Sequence, residues 1–376
     1  MKKSKRFTYQ GINNLSYIIS VLFIIQLLLR NIRKYGLLLL IPLENLSLFE
    51  LFISSAVHLL NVLKCLLVYL LARNKKSSFF ILLFIESSIG LLIFKNISHL
   101  YFSFINVSLS LYLFTKVISF IVEINYKEKN IKNYFLFLLF PTMIYKKRFE
   151  RKKYINYKNI YKKLIVLVFC SLMLNFIADQ LAIPTLERLI NNLKLHLFME
   201  YFLILSIVTI IMFMLLFVIV FNSLLPIIAE LTWYKNRNYY SDWWNKNTVT
   251  EFWASWNKEM HFWFKSYIYK PMLVKGYSKR FACFMCFFVS GILHEYAISI
   301  SSKYLQFYTF LGFMSQLVLM ETTDRISLYF PKVGNYLFWM MFCVIGQPIC
   351  IWLIYKSNYN KMTGNIELLN YLKNKK

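Results

Sequence analysis

Two stretches of the chain hold the side chains whose types and spacing could do chemistry. His294 is followed by Glu295 and Tyr296 and preceded by an uncharged run from Phe281 to Leu293. An ionisable pair that deep in an apolar helix is costly, so it reads by default as functional. Histidine has an ordinary pKa near neutrality, which suits it to take a proton and return it. The plainer alternative is an imidazole bonded to a neighbouring helix and doing no chemistry. Upstream, Trp253, Asn257 and His261 recur at i, i+4 and i+8 within Thr250 to Tyr267, one face of an expected helix. Thr248 or Thr250 can cap its start, and Glu251 suits the positive end of the dipole. Taken alone, a Trp-rich amphipathic helix is most simply an anchor in the headgroup layer.

These residues need a scaffold, and the composition says what kind. The chain has 376 residues, 58% of them hydrophobic and 19% aromatic, too apolar for a soluble protein of that length. The net charge is +27, yet the cations sit in short clusters between apolar runs rather than on one basic domain. That distribution argues against a nucleic-acid partner and for basic loops facing an anionic leaflet. Codon bias towards Lys, Asn and Ile explains the charge alone equally well. All six cysteines lie in apolar runs, which speaks against a disulfide framework, and Cys283-x-x-Cys286 has no second pair to complete a metal site. The basic Met1 to Arg6 precedes a long apolar stretch without a small-residue cleavage site, so that stretch is expected to be a retained first span.

The twenty-residue rule gives about nine spans. They are Gly11–Leu29, Leu51–Leu71, Phe79–Phe94, Leu100–Val122, Leu164–Ala178 extended towards Ile183, Tyr201–Ala229 with a kink at Pro226, the helix carrying His294, Tyr304–Met320 and Tyr336–Tyr355. His58, Lys64, Glu86 and Lys116 within these spans are expected to snorkel or to pair between helices. Lys127, Lys129 and Lys132 follow the fourth span, and Tyr134 to Phe140 is too short to cross. The loop with Lys146-Lys147-Arg148 and Arg151-Lys152-Lys153 is the most basic in the chain. Counting from a cytosolic N-terminus puts residues 231–280 in the cytosol. It also puts Lys373, Lys375 and Lys376 in the lumen, against the positive-inside rule.

Between the sixth and seventh spans stands Tyr239-Tyr240-Ser241-Asp242-Trp243-Trp244-Asn245. With His294-Glu295-Tyr296 downstream, this block resembles the membrane-bound O-acyltransferase family, in its acyl-CoA:sterol and acyl-CoA:diacylglycerol branch. The resemblance covers nearly the whole chain as a single domain and is strongest from 226 to 350. It implies an all-α polytopic membrane protein with a reaction chamber inside the bilayer. The family's catalytic asparagine falls on Asn257, a second family histidine on His261 and its buried catalytic histidine on His294; Glu295, grouped with the catalytic residues, sits about 100° round the helix from the imidazole and is expected to orient the site through neighbouring helices. The implied chemistry is removal of an alcohol proton by His294 as the oxygen attacks an acyl-CoA thioester, Asn257 donating its amide to the oxyanion.

Flanking matches favour the diacylglycerol side of that branch. They are Tyr9-Gln10-Gly11-Ile12, Pro141-Thr142-x-x-Tyr145, Ala229-Glu230-Leu231, Tyr269-Lys270-Pro271-Met272-Leu273, Met314-Ser315-Gln316 and Ile345-Gly346-Gln347-Pro348. The resemblance thus adds Trp256, Tyr269, Met314, Gln316 and Gln347 to the expected substrate contacts. Lys279 and Arg280 are expected to meet coenzyme A phosphates at the chamber mouth, and Ser290 to line the inner tunnel one turn before His294. Glu259 replaces a usual proline, Cys283 replaces a usual arginine, and the long N-terminal arm of many relatives is nearly absent. The expected activity is esterification of diacylglycerol in the endoplasmic reticulum membrane, with acyl-CoA as co-substrate and no metal or cofactor. A homodimer or homotetramer is compatible with it. A sterol or long-chain alcohol is the alternative acceptor. A lipid transporter or scramblase is the rival class, which has no need of a Trp-Trp-Asn segment coupled to a buried His-Glu pair.

Overall fold

The computed structural model of the chain describes residues 10–38, 46–125, 129–191 and 194–359. Among these the chain is a sequence of helices without a strand: α1 Gln10–Tyr35, α2 Leu48–Leu71, α3 Lys75–Asn96, α4 Leu100–Glu123, α5 Ile131–Leu139, α6 Tyr157–Asn191 and α7 Leu195–Leu231. Then come the short α8 Val249–Trp256 and α9 Lys258–Phe264, and the long α10 Lys279–Ser302, α11 Tyr308–Ser327 and α12 Val333–Tyr359. Met1–Arg6, Tyr9, Lys127 and the C-terminal Lys373, Lys375 and Lys376 lie outside the described residues.

Seven of these helices are long and apolar enough to cross a membrane: α2, α3, α4, α6, α7, α10 and α12. Among the described residues this measure finds seven spans where nine are expected. The other two segments, α1 and α11, are helices in the expected places. However, α1 ends with Arg30, Arg33 and Lys34, and α11 carries Glu321, Asp324 and Arg325 near its end. The kink expected in the sixth span takes the form of π-helical bonding over Val218–Leu224, directly before Pro226, whose nitrogen has no hydrogen to give. A second π segment, Ala178–Ala182, lets α6 run on past the expected end of the fifth span.

The buried polar residues of the first spans pair between helices. Lys64 on α2 lies 2.6 Å from Glu86 on α3 and also donates to Asn61 and to Ser110 on α4. Both charges are nearly inaccessible, and removing one partner from such a pair costs about 3–5 kcal/mol. Lys116 on α4 donates 2.5 Å to the carbonyl of Phe140. Tyr296 on α10 reaches α3, its hydroxyl donating 3.0 Å to the Glu86 carbonyl, and a Cβ on Gly90 would collide with that hydroxyl. Glycine at 90 is thus what allows α10 to lie against α3.

The aromatic block is core. Tyr239, Trp243 and Phe252 are almost fully buried with Phe217 and Phe221 of α7 and Phe338 and Cys343 of α12. Truncating a buried ring of that size costs about 3–5 kcal/mol. A headgroup anchor would leave these rings outward, so the segment's main role is to fill the space between α7, α11 and α12.

Candidate active site

The helix expected over Thr250 to Tyr267 is two helices, and the break falls on Asn257. Its backbone (φ −134°, ψ 87°) ends α8, and its side-chain oxygen accepts 3.2 Å from the Met260 N–H to cap α9. Trp253, Asn257 and His261 therefore do not share one continuous helix face. The break is pinned from both sides by the aromatic motif. The Ser241 N–H donates 2.9 Å to the Ser255 carbonyl, and the Lys258 N–H donates 2.9 Å to the Tyr239 carbonyl. With its oxygen committed to the cap, Asn257 keeps its amide –NH2 as a donor. Thr248 caps α8 by accepting from Glu251, while the Thr250 hydroxyl donates to Asp324 on α11.

Other motif residues hold this loop. Trp243 packs against Trp256, 4.8 Å between ring centroids, and Trp256 stacks flat on Phe213 at 4.6 Å. Tyr240 sits edge-on to Phe217. Asn335 donates to the carbonyls of Trp244 and Lys246, on either side of Asn245. Asp242 is exposed and pairs with Lys246 at 2.8 Å, which holds its carboxyl below the usual range. Glu259, where the resemblance leads one to expect a proline, accepts 2.8 Å from the Thr142 hydroxyl and 3.1 Å from the Met143 N–H. It ties Pro141–Tyr145 to the first turn of α9.

His294 lies in α10 with Nδ1 2.8 Å from the Ser290 carbonyl and its ring 4.1 Å from that of Phe313 on α11. His294 is exposed. Phe313 is also 5.9 Å from Trp253, so α8 and α10 both reach the same ring. The Trp253 indole N–H and the Gln316 side-chain oxygen, both buried, have no hydrogen-bond partner among the described residues. Phe313 was not singled out from sequence; its only signal is adjacency to Met314-Ser315-Gln316.

Glu295 faces away from the imidazole. Its carboxylate accepts from the N–H groups of Gln306, Phe307 and Phe310 and from the Ser299 hydroxyl. These are the orphan donors at the start of α11, behind a turn in which Lys303 and Phe307 take positive φ. Glu295 thereby ties α10 to the start of α11, the helix that carries Phe313. Ser290 reaches His294 through its carbonyl.

The remaining expected contacts lie on, or directly after, α9, α10, α11 and α12. Met314 and Tyr269 are half-buried, Tyr269 in a π-helical turn that continues α9. Gln347 is half-buried directly after the π-helical Trp339–Gly346 of α12, a backbone irregularity that often marks functional sites. His261 is half-buried, and burial together with Lys265 one turn on pushes its pKa below the ordinary value. Lys279 and Arg280 are exposed at the start of α10, and Arg280 already has a partner, Glu321, at 3.5 Å. All six thiols are free.

Residues 14–354 match the family model described as MBOAT, membrane-bound O-acyltransferase family. The chain belongs to that family. Among its relatives, diacylglycerol O-acyltransferase 1 of Dictyostelium discoideum is 33% identical over 231 residues, which is 61% of this chain and 37% of that protein. Diacylglycerol O-acyltransferase 1-2 of Oryza sativa subsp. japonica is 34% identical over 242 residues, 63% of this chain and 50% of its own length. Diacylglycerol O-acyltransferase 1 of Arabidopsis thaliana is 31% identical over 235 residues, 62% and 45% respectively. The matched stretch thus spans half or less of these relatives. In this O-acyltransferase family member, the motif that carried the resemblance is what pins the helix break at Asn257.

Proposed function

We propose that the protein transfers the acyl group of acyl-CoA to the free hydroxyl of diacylglycerol, forming triacylglycerol in the endoplasmic reticulum membrane. The observation that carries this reading is the His294 Nδ1 to Ser290 carbonyl contact. A carbonyl only accepts, so the imidazole proton sits on Nδ1 and the Nε2 lone pair is left as the base. Nε2 takes the hydroxyl proton as the alcohol oxygen bonds to the thioester carbon. The Asn257 amide donates to the resulting oxyanion. Collapse breaks the C–S bond, and the coenzyme A thiolate recovers the proton from Nε2. No cofactor beyond the acyl-CoA co-substrate enters this scheme.

The same arrangement suggests how substrates reach the centre. Coenzyme A phosphates cannot enter hydrocarbon, so they stay near Lys279 and Arg280 while the pantetheine arm runs inward along α10. The fifteen residues from Lys279 to His294 span about 22 Å at helical rise. The alcohol arrives laterally from lipid, and Trp253, Gln316 and Gln347 offer its polar groups their partners. The names of the relatives favour diacylglycerol over a sterol as acceptor. The test is an assay of purified protein in lipid with labelled acyl-CoA, offering diacylglycerol, monoacylglycerol and cholesterol together. Dominant triacylglycerol supports the reading, and cholesteryl ester without triacylglycerol would replace it with the sterol branch.

A further inference from the structure

Away from the His294 centre, α4, α5 and the basic loop enclose a cleft of about 440 Å3. Among the described residues, Lys132, Lys147, Arg148 and Arg151 line it with one carboxylate, Glu123. The cations come from separate segments, and the loop that brings them together is built. Asn133 on α5 donates to the carbonyls of Lys146 and Lys147 and to the Tyr145 hydroxyl, fixing the loop over the start of α5. Glu123 accepts 3.1 Å from the Tyr267 hydroxyl, which lies 2.8 Å from the Ser119 hydroxyl, and Ser119 in turn accepts 2.7 Å from the Tyr145 N–H. The cleft floor is therefore hydrogen-bonded to the segment that continues α9.

What lies beside the cleft decides the kind of anion. Ile131, Phe135 and Leu139 stand at i, i+4 and i+8 on α5 and are 51%, 38% and 62% exposed. Nine residues are too few to cross a bilayer, so this apolar stripe suits the acyl side of the interface, next to Lys132 in the cleft wall. The geometry points to a binding site for the phosphorylated headgroup of a membrane lipid, its phosphate held by Lys132, Arg148 and Arg151 and its acyl chains along the exposed stripe of α5. Among the described lining residues, the excess of cations over carboxylates favours a phosphate monoester over the single charge of a diester. Cations merely marking one side of the membrane would need neither a shaped cleft nor an apolar stripe beside it.

Binding is read here without turnover, so the site stands or falls separately from the proposed acyl transfer. The full chain in detergent micelles is titrated with phosphatidylinositol 4-phosphate, and bound lipid is counted by native mass spectrometry. Phosphatidylserine serves as the monoester-free control and coenzyme A as the competitor. The expected result is retention of phosphatidylinositol 4-phosphate over phosphatidylserine, weakened at least tenfold by Lys132→Gln with Arg148→Gln and Arg151→Gln, and undisturbed by coenzyme A. Arg148→Gln alone, at an exposed position, gives a smaller loss in the same direction and keeps the test independent of how the triple variant folds. Equal retention of the two lipids, or retention unchanged in both variants, overturns the site. Displacement of the lipid by coenzyme A overturns the lipid assignment in favour of a nucleotide phosphate.

Discussion

His294 and Ser290 form a unit: Nδ1 of the imidazole lies 2.8 Å from the carbonyl oxygen one helical turn earlier. The partner is backbone, so the tautomer is set by the helix itself and survives any substitution of the serine side chain. Ser290→Ala is accordingly expected to leave the chemical step within a few-fold of wild type. Single-turnover acyl transfer checks this. A loss of a hundredfold or more in a well-folded variant would mean that the hydroxyl acts directly.

Asn257 joins two roles that substitution can separate. Asn257→Asp keeps an oxygen to cap α9 and removes the –NH2 donor, while Asn257→Ala removes both. The aspartate variant should keep wild-type thermal stability and lose turnover by roughly 10²–10³-fold, the typical worth of one oxyanion donor. The alanine variant should lose turnover and also about 1 kcal/mol of stability, the usual worth of a cap. Thermal unfolding beside turnover separates the two effects. Full activity in the aspartate variant would remove the amide from the mechanism.

Gly90 and Tyr296 make a reciprocal test of how α10 is seated. Gly90→Ala puts a methyl where the Tyr296 hydroxyl lies and should lower the unfolding midpoint, as overpacking typically costs about 1–3 kcal/mol. Tyr296→Phe in the same background removes the clashing oxygen and should restore part of that loss. Additive losses in the double variant would show that the two positions do not meet.

The pH dependence of stability should carry the mark of His261. Burial first, and Lys265 second, lower its pKa from the ordinary 6.5, so the fold favours the neutral ring. This contribution is complete above 6.5 and is lost as pH falls towards and through the lowered value. His261→Gln cannot titrate, and its unfolding midpoint should fall less steeply below pH 6.5 than that of wild type. Parallel curves would place the acid sensitivity elsewhere.

Much of this was legible in the sequence because it rests on hydropathy and rare motifs. Apolar length marked seven of the nine expected spans, and of the two readings open for Lys64 and Glu86, snorkelling or pairing between helices, the second holds. The break at Asn257 was not legible, because an i, i+4, i+8 pattern reads the same whether or not a loop elsewhere pulls the helix apart. The groups that do so, the Ser241 and Lys258 N–H donors with the Ser255 and Tyr239 carbonyls, are backbone and leave no trace in residue type. The role of Glu295 was half-visible: its place about 100° round the helix from His294 separates it from the imidazole, but the turn it holds around Phe307 appears only in three dimensions. Glu259 read as a departure from the family pattern, and only its bonds to Thr142 and Met143 give it a function.

The most direct test of the account is the turnover of His294→Ala. The purified variant is reconstituted in lipid, shown to match wild type in its unfolding midpoint, and given labelled acyl-CoA with diacylglycerol. General acid–base catalysis is typically worth about 10²–10⁴-fold, and removing the only base in the scheme should lower triacylglycerol formation by at least that much, with acyl-CoA binding retained. Wild-type turnover by the folded variant would contradict the account at its centre.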